Sequence, residues 1–487
     1  MFDESLLILS DVHLGNDLND LRPNGVRRSA SVDADLVSLL RHYRAAPRGG
    51  RRWRLVIAGD FIDFIGMAIL PQDGEFSTAP SDEERAHGLG NTSDHAMAKL
   101  RAVVARHRTV FDAIGEFLAD GHALTLIHGN HDVEFHWVGV QDQLRALLSD
   151  IARQTRAAGA PFAAEVASRI DFAPWFYYVG GVAYIEHGHQ YDTLCSTEHV
   201  MAPLAPGDPR QLARSFSDIL LRWVVRPTRG VPEYGHEHMG LLSYVVLGMR
   251  LGVGGVVRLL ARFLGAVAEM LRLRRAYVSQ TGHLVREEQE RKMAALAIAM
   301  RVGIERLRAL AALQVPPVTQ SVSKILAGVL LDRLGLALAC GAAIVTLGAA
   351  APRHTWSWAL IAAIAVGWTL MHRRLSARRR EWFGDKLDND EKLVERAGHL
   401  ARLFPAAFVV MGHTHTPVQV PVADGATTYI NVGSWHEAES KDAIPTYRAA
   451  RTHLVIHPAV AGPEAEFRAW RAGGVVKWSP AAVTRET

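Results

Sequence analysis

Five times along 487 residues an apolar run ends in a short cluster of Asp, His and Asn, and such a chain must fold so that distant strand ends meet. Ser5-Leu6-Leu7-Ile8-Leu9-Ser10 leads into Asp11-Val12-His13, and Arg54-Leu55-Val56-Ile57-Ala58 into Gly59-Asp60-Phe61-Ile62-Asp63. Ala123-Leu124-Thr125-Leu126-Ile127 precedes His128-Gly129-Asn130-His131-Asp132. Ala183-Tyr184-Ile185 precedes Glu186-His187-Gly188-His189, and Ala407-Phe408-Val409-Val410-Met411 precedes Gly412-His413-Thr414-His415. Short apolar runs bounded by turn residues read as buried strands. Open α/β sheets place their ligands at strand ends, so one rim can gather residues from far apart. Taken singly each cluster is weak, since an Asn-His-Asp turn can merely cap a helix. Five in series, each after a strand, point to one shared site. The donors are carboxylate, amide and imidazole without thiolate, which suits Mn²⁺ first, with Fe or Zn²⁺ as alternatives.

These clusters, in this order, resemble those of the calcineurin-like metallophosphoesterases. The resemblance implies an α/β fold, a four-layer αββα sandwich of two mixed sheets flanked by helices, with a dinuclear site at one edge. By resemblance, Asp11, His13 and His415 bind the first of two divalent ions, Asn130, His187 and His413 the second, and Asp60 bridges both. A carboxylate can hold two ions roughly 3.5–4 Å apart, the spacing of two-metal hydrolases. A water activated between them would attack phosphorus in line, and the ions would neutralise charge on the phosphoryl oxygens. His131 is then the general acid for the leaving group, its ring held by Asp63 or Asp132, with Asp63 favoured by analogy. His189, two residues beyond a ligand, would share its face on a strand and contact substrate phosphate or support the ligands.

Two departures narrow the likeness. No Arg follows Asp63, so the protein Ser/Thr phosphatase branch, with its Asp-Arg-Gly, is disfavoured. Gly59 to Gly66 and His187 to Cys195 look distantly like the bacterial UDP-2,3-diacylglucosamine hydrolases. That branch carries Arg where this chain has His131 and Asp where it has His189, so identity of substrate does not follow.

The first four clusters lie within 190 residues, and more than 200 then separate His189 from His413. This divides the chain into core residues 1–199, a helical insertion 200–394, core residues 395–460 and a loose tail 461–487. The insertion holds two charge-free stretches, Leu334 to Pro352 and Thr355 to Met371, each at the short end of the roughly 17–25 residues that cross a bilayer. Lys324 and Arg333 precede them, Arg373, Arg374, Arg378, Arg379 and Arg380 follow, and only Arg353 and His354 lie between. By the positive-inside rule both outer ends are cytoplasmic. Because His187 and His413 must meet, the intervening segment crosses an even number of times, so a membrane hairpin of about 334–371 is expected, with Trp356 and Trp358 at the far interface. The alternative is a buried helical pair in a soluble cap. Leu241 to Tyr277 gathers Arg250, Arg258, Arg262, Glu269, Arg272 and Arg275 on one side, as a helix lying on an anionic membrane or packed on the core would. Arg286–Arg308 reads as one solvated helix, Lys392–Leu403 as another, residues 71–95 as an exposed loop, and Val418 to Val432 as a hairpin. Tyr447–Ile456 is expected as a final strand.

Composition adds bounds. The chain is 49% hydrophobic, enough for more than one core, and its formal net charge is +4. Two cysteines, Cys195 and Cys340, offer no disulfide framework and fit a reducing compartment. The start, Met1-Phe2-Asp3-Glu4, lacks the features of a signal peptide. Nucleic acid is disfavoured as a partner, because no Lys/Arg run with interleaved aromatics occurs in the core. The expectation is a metal-dependent hydrolase of a membrane-borne phosphoester, a lipid or nucleotide-activated lipid, on the cytoplasmic face of the inner or plasma membrane. The alternatives are a cytoplasmic phosphodiesterase for soluble nucleotides or nucleic acid, and a catalytically silent membrane scaffold.

Overall fold

All five apolar runs that carry the clusters are strands: Ser5–Leu9, Trp53–Ala58, Ala123–Ile127, Gly181–Glu186 and Ala406–Met411. The computed structural model describes residues 3–22, 26–45, 50–72, 74, 76–228, 241–350, 356–384, 386–440, 449–460 and 462–479. The first three strands lie side by side and parallel, so their C-terminal ends share one rim. They belong to a seven-stranded mixed sheet in the order Gly474–Lys477, Glu464–Arg471, Thr452–His457, Ser5–Leu9, Trp53–Ala58, Ala123–Ile127, Ile170–Ala173. Gly181–Glu186 and Ala406–Met411 are parallel neighbours in a second, five-stranded mixed sheet. Its other members are Phe176–Val179, Thr427–Asn431 and Val418–Val422.

Alternation along the strands decides what each face covers. Leu6, Ile8, Val56, Ala58 and Ile127 of the first sheet share one buried cluster with Ala183, Ile185, Val410 and Ile430 of the second, so the sheets pack face to face. Leu7, Leu9, Leu55, Ile57, Leu124 and Leu126 point the other way, under helices Ala30–Ala45, Ser93–Arg106, Arg108–Ala119 and Val138–Thr155. On the second sheet's outer face Tyr184, Val409, Met411 and Tyr429 meet Leu393, Ala397 and Leu400 of helix Lys386–Leu403. The protein is thus a mixed α/β fold with two mixed sheets and helices on both outer faces.

Several expectations need correction. The supposed loose tail supplies two strands, Glu464–Arg471 and Gly474–Lys477, and Phe467 joins the inter-sheet core; residues 480–487 lie outside the described residues. Residues 71–95 contain a capped helix, Asp82–His87, in which Ser81 and Glu84 form a reciprocal capping box. Arg286–Arg308 is split between Gln280–Met300 and Ile304–Ala311, because Arg301 turns left-handed at φ 56° and Gly303 caps the second helix. The strand expected over Tyr447–Ile456 is Thr452–His457 and is not the final one, and Tyr447 lies outside the described residues. Val26–Arg28, not foreseen, pairs antiparallel with Ala438–Ser440.

In the insertion, Leu331–Ala350 and Trp356–Phe383 pack on each other as a hairpin. Its apolar side chains face outward rather than into a cap: Leu338, Val345, Trp358, Val366, Leu370 and Met371 are all exposed. Arg353 and His354 lie outside the described residues. Two described helices are long and apolar enough to cross a membrane, Val246–Val278 and Leu331–Ala349. The stretch within Trp356–Phe383, closed by His372 and Arg373 after Met371, is not one of them. Helix Leu241–Val278 breaks helical geometry at Gly252 and buries Leu259, Phe263, Ala266, Met270 and Leu273 against Phe216, Ile219 and Val224.

The first cluster is buttressed from behind. Arg28 donates from Nη1 to the carbonyl of Val12 (2.6 Å) and from Nε to Asp33 (2.7 Å). His107 donates from Nδ1 to Asp33 (2.6 Å) and accepts at Nε2 from the N–H of Gly15 (3.1 Å). Burial pushes the Asp33 carboxyl up, but His107 and Arg28 hold it at about 2. Its folded value lies below the unfolded one, so this stabilisation is full above about pH 4 and is lost as pH falls through about 2. Asp33→Asn should lower stability by about 1–3 kcal/mol at pH 7 and by less at pH 2.5, read by urea unfolding; an equal loss at both values would contradict the arrangement.

Candidate metal centre

At the common rim the five clusters meet, and their backbone is bent hard to do so. Asp11 (φ 53°), His13 (50°), Asp60 (54°), His413 (71°) and His415 (62°) all adopt the left-handed conformation. For non-glycine residues this is uncommon and costs of order 1–3 kcal/mol each, and such strain gathers at functional sites. Two glycines make room: a Cβ on Gly59 would sit 2.4 Å from the His187 ring, and one on Gly129 2.0 Å from Asp60 Oδ1.

The donor atoms fall into two groups that share Asp60. In the first, His13 Nε2 lies 3.5 Å from Asp60 Oδ2, 3.3 Å from His415 Nε2 and 3.8 Å from Asp11 Oδ1, and His415 Nε2 lies 3.0 Å from Asp11 Oδ1. In the second, His187 Nε2 lies 3.2 Å from the same Asp60 Oδ2 and 3.1 Å from Asn130 Oδ1. The His413 ring stands 5.3 Å from that of His187, but its Nε2 faces Asp192 Oδ2 at 3.1 Å, and its donor atoms gather with Asp192 and Cys195 rather than with Asp60. Other atoms set the ring orientations: His187 donates from Nδ1 to the Ala58 carbonyl (2.9 Å), and His13 Nδ1 faces Asp63 Oδ2 (3.5 Å), leaving both Nε2 atoms aimed inward.

Charge explains why these groups tolerate one another. Asp11, Asp60 and Asp63 are essentially buried. Burial pushes all three carboxyls up, yet the neighbouring imidazoles hold them below the usual carboxylate range. In return burial lowers His13 and His187, but hydrogen bonds donated to Asp11 and Asp63 raise the first to about 10, and the charge of Asp60 raises the second to about 9. The cluster therefore demands positive charge, which protons supply here and divalent cations could supply instead. Oxygen and imidazole donors around a shared carboxylate fit a pair of hard or borderline divalent ions.

The remaining residues sort by geometry. His131 donates from Nδ1 to Asp63 Oδ1 at 2.6 Å, the pairing favoured by analogy, and its ring is partly exposed at the site. Asp132 does not hold that ring; it accepts from the N–H groups of Gly129 (2.6 Å) and Phe61 (2.7 Å) and ties two clusters together. Burial and the Asp60 charge push Asp132 up to about 7. His189 does not extend the strand, because Gly188 turns left-handed at φ 102° and His189 opens a 3-10 turn. It is buried 5.4 Å from the His187 ring, and burial drives its imidazolium well down, so it is neutral.

Two participants escaped sequence reasoning. Asp192 Oδ2 accepts from His413 Nε2 at 3.1 Å and from Asn389 Nδ2 at 3.3 Å, while its Oδ1 accepts from the N–H of Leu194. A carboxylate three residues after His189 was the available signal. His436, fully buried 5.3 Å from the His13 ring, follows the Asn431 to Ser434 turn and had no pattern around it. No family model matches this chain, and comparison with curated proteins finds no relative, so a functional reading rests on the site itself.

Gly129→Ala should abolish tight Mn²⁺ binding in titration calorimetry, since its methyl displaces Asp60. Asp192→Ala should weaken it about 10- to 100-fold while the melting temperature of the metal-free protein barely moves. Wild-type affinity in both variants would contradict the geometry described.

Proposed function

We propose that this protein is a dinuclear metal-dependent phosphoesterase with the αββα architecture of the calcineurin-like metallophosphoesterases. The observation that carries the reading is Asp60, whose Oδ2 stands within 3.5 Å of an inward-facing imidazole nitrogen from each of two donor groups. Asp11, His13, Asp60 and His415 would hold one ion, and Asp60, Asn130, His187 and His413 the other. Mn²⁺ suits these donors, with Fe or Zn²⁺ as alternatives. Bound there, the ions would supply Lewis-acid charge for the phosphoryl oxygens and lower the pKa of a water nucleophile.

The chain's own residues do the rest. His131 is the general acid: its Nδ1–H is committed to Asp63, which leaves Nε2 to carry the proton a departing alkoxide needs. Burial lowers the imidazolium but Asp63 and Asp60 outweigh this and raise it, so the ring keeps its proton to a higher pH than a free imidazole would. Asp63 also faces His13, so one carboxylate orients the acid and a ligand together. Asp132 fixes the backbone under Asn130 and Asp60.

The insertion supports a membrane-borne substrate class. An outward-facing apolar hairpin followed by Arg373, Arg374, Arg378, Arg379 and Arg380 suits a bilayer with anionic headgroups on the side of the site. A phosphoester borne by that membrane is the favoured substrate, and the cytoplasmic face of the inner or plasma membrane the favoured location. Soluble nucleotides remain the alternative if the hairpin serves only as an address. A protein found monodisperse in the soluble fraction of a detergent-free lysate would refute the membrane assignment.

Mn²⁺-loaded protein incubated with a total lipid extract should remove a lipid phosphorus NMR signal and release a water-soluble phosphate. Asp60→Ala should lose that turnover altogether, and near-normal turnover in it would refute the site. His131→Ala should slow esters of poor leaving groups about 10²- to 10⁴-fold and p-nitrophenyl esters far less. An equal loss on both would remove His131 from the acid role.

A further inference from the structure

A thiol stands close to the metal centre. Asp192 opens a turn in which the N–H of Cys195 donates to the Asp192 carbonyl at 3.1 Å, and residues three apart in such a turn project to the same side. The N–H of Leu194 engages Asp192 Oδ1 at 2.8 Å, which leaves Oδ2 to meet His413 Nε2 at 3.1 Å. His413 arrives from the second sheet, turned left-handed at φ 71° just past strand Ala406–Met411. One donor atom each from Asp192, Cys195 and His413 therefore lies within 4.8 Å of the other two. Cys195 is buried among apolar residues of the insertion and lines a cavity beside Asn130 with room for about one water.

We propose that Asp192, Cys195 and His413 form a further metal site, apart from the pair bridged by Asp60, and that it takes Zn²⁺ in preference to Mn²⁺. Zinc bonds of about 2.0–2.3 Å to oxygen, nitrogen and sulfur in a tetrahedron put the donors about 3.3–3.8 Å apart. Asp192 Oδ2 and His413 Nε2, at 3.1 Å, are close to that spacing, and the 4.8 Å limit on the set leaves sulfur no more than about 1 Å to move. The sulfur decides the ion. A thiolate selects zinc over manganese, whereas oxygen and imidazole alone surround Asp60. Three protein ligands leave a fourth position for a water. Binding releases the Cys195 proton, because the thiolate is the ligand. The inference touches the phosphoesterase reading only at His413: a neutral imidazole has one lone pair to give, so an ion here competes with the second ion of the pair for that ring.

The test titrates metal-free full-length protein with Co²⁺, a coloured stand-in for zinc, and follows the near-ultraviolet charge-transfer band that only a bound thiolate gives. The chain has two cysteines, so the source of the band can be assigned. Wild type and Cys340→Ser should both show it. Cys195→Ser should lose it, with the melting temperature of its metal-free form little changed. Asp192→Ala should keep the thiol yet need about 10- to 100-fold more Co²⁺, at least what loss of a supporting residue costs. Zn²⁺ should bleach the wild-type band at concentrations about tenfold or more below those of Mn²⁺. No band in the wild type, a band that survives in Cys195→Ser, or an unshifted titration in Asp192→Ala would overturn the site. None of these readouts needs turnover. A Mn²⁺-loaded wild type that hydrolyses no phosphoester would defeat the phosphoesterase reading and leave the thiolate site standing.

Discussion

Three carboxylates, Asp11, Asp60 and Asp63, are held in a protein interior where each repels the others, and the surrounding structure depends on how that repulsion is met. Two unit charges 4 Å apart interact by about 4 kcal/mol at the effective dielectric of such sites. His13, His187 and His415 stand against them, so the charge is balanced by imidazoles whose protons divalent ions can replace. Asp132 registers what happens where the balance runs short: next to Asp60 and buried, it is pushed up toward neutral pH. Its two backbone donors, Gly129 and Phe61, steady it and lock the second and third clusters together.

That electrostatic demand explains the backbone. Five ligand candidates turn left-handed because a strand end must aim its side chain back over the rim rather than along the sheet. Parallel strands supply the common rim, the face-to-face sheets bring its two halves together, and the buttress of Arg28, Asp33 and His107 keeps the first loop from relaxing. Strain of this kind persists only where the surroundings over-determine it.

The clusters and the strands beneath them were legible because both signals are local: apolar runs of five or six residues, followed at once by ligand-type side chains. The hairpin after Val418 and the helix before Leu403 were legible for the same reason. What was missed depends on contacts remote in sequence. Glu464–Arg471 and Gly474–Lys477 are mixed in polarity and become strands by adding to an existing edge, and Asp192 acquires its role only when His413, 221 residues on, packs against it. His189 was placed on a strand because the strand before it gives no sign that Gly188 will end it. The choice between Asp63 and Asp132 was likewise one of direction, which adjacency cannot supply.

The insertion joins this centre to a second physical environment. Its first segment walls the cavity beside Asn130, and its last helix carries Asn389 to Asp192, while between them an apolar hairpin faces away from the protein core. The central claim, two ions bridged by Asp60, is tested most directly by crystals grown with Mn²⁺ and measured for anomalous scattering. The account predicts two peaks on either side of Asp60, roughly 3.5–4 Å apart, one against His13 and His415 and the other against Asn130 and His187. No peak, or a single peak away from Asp60, would contradict it.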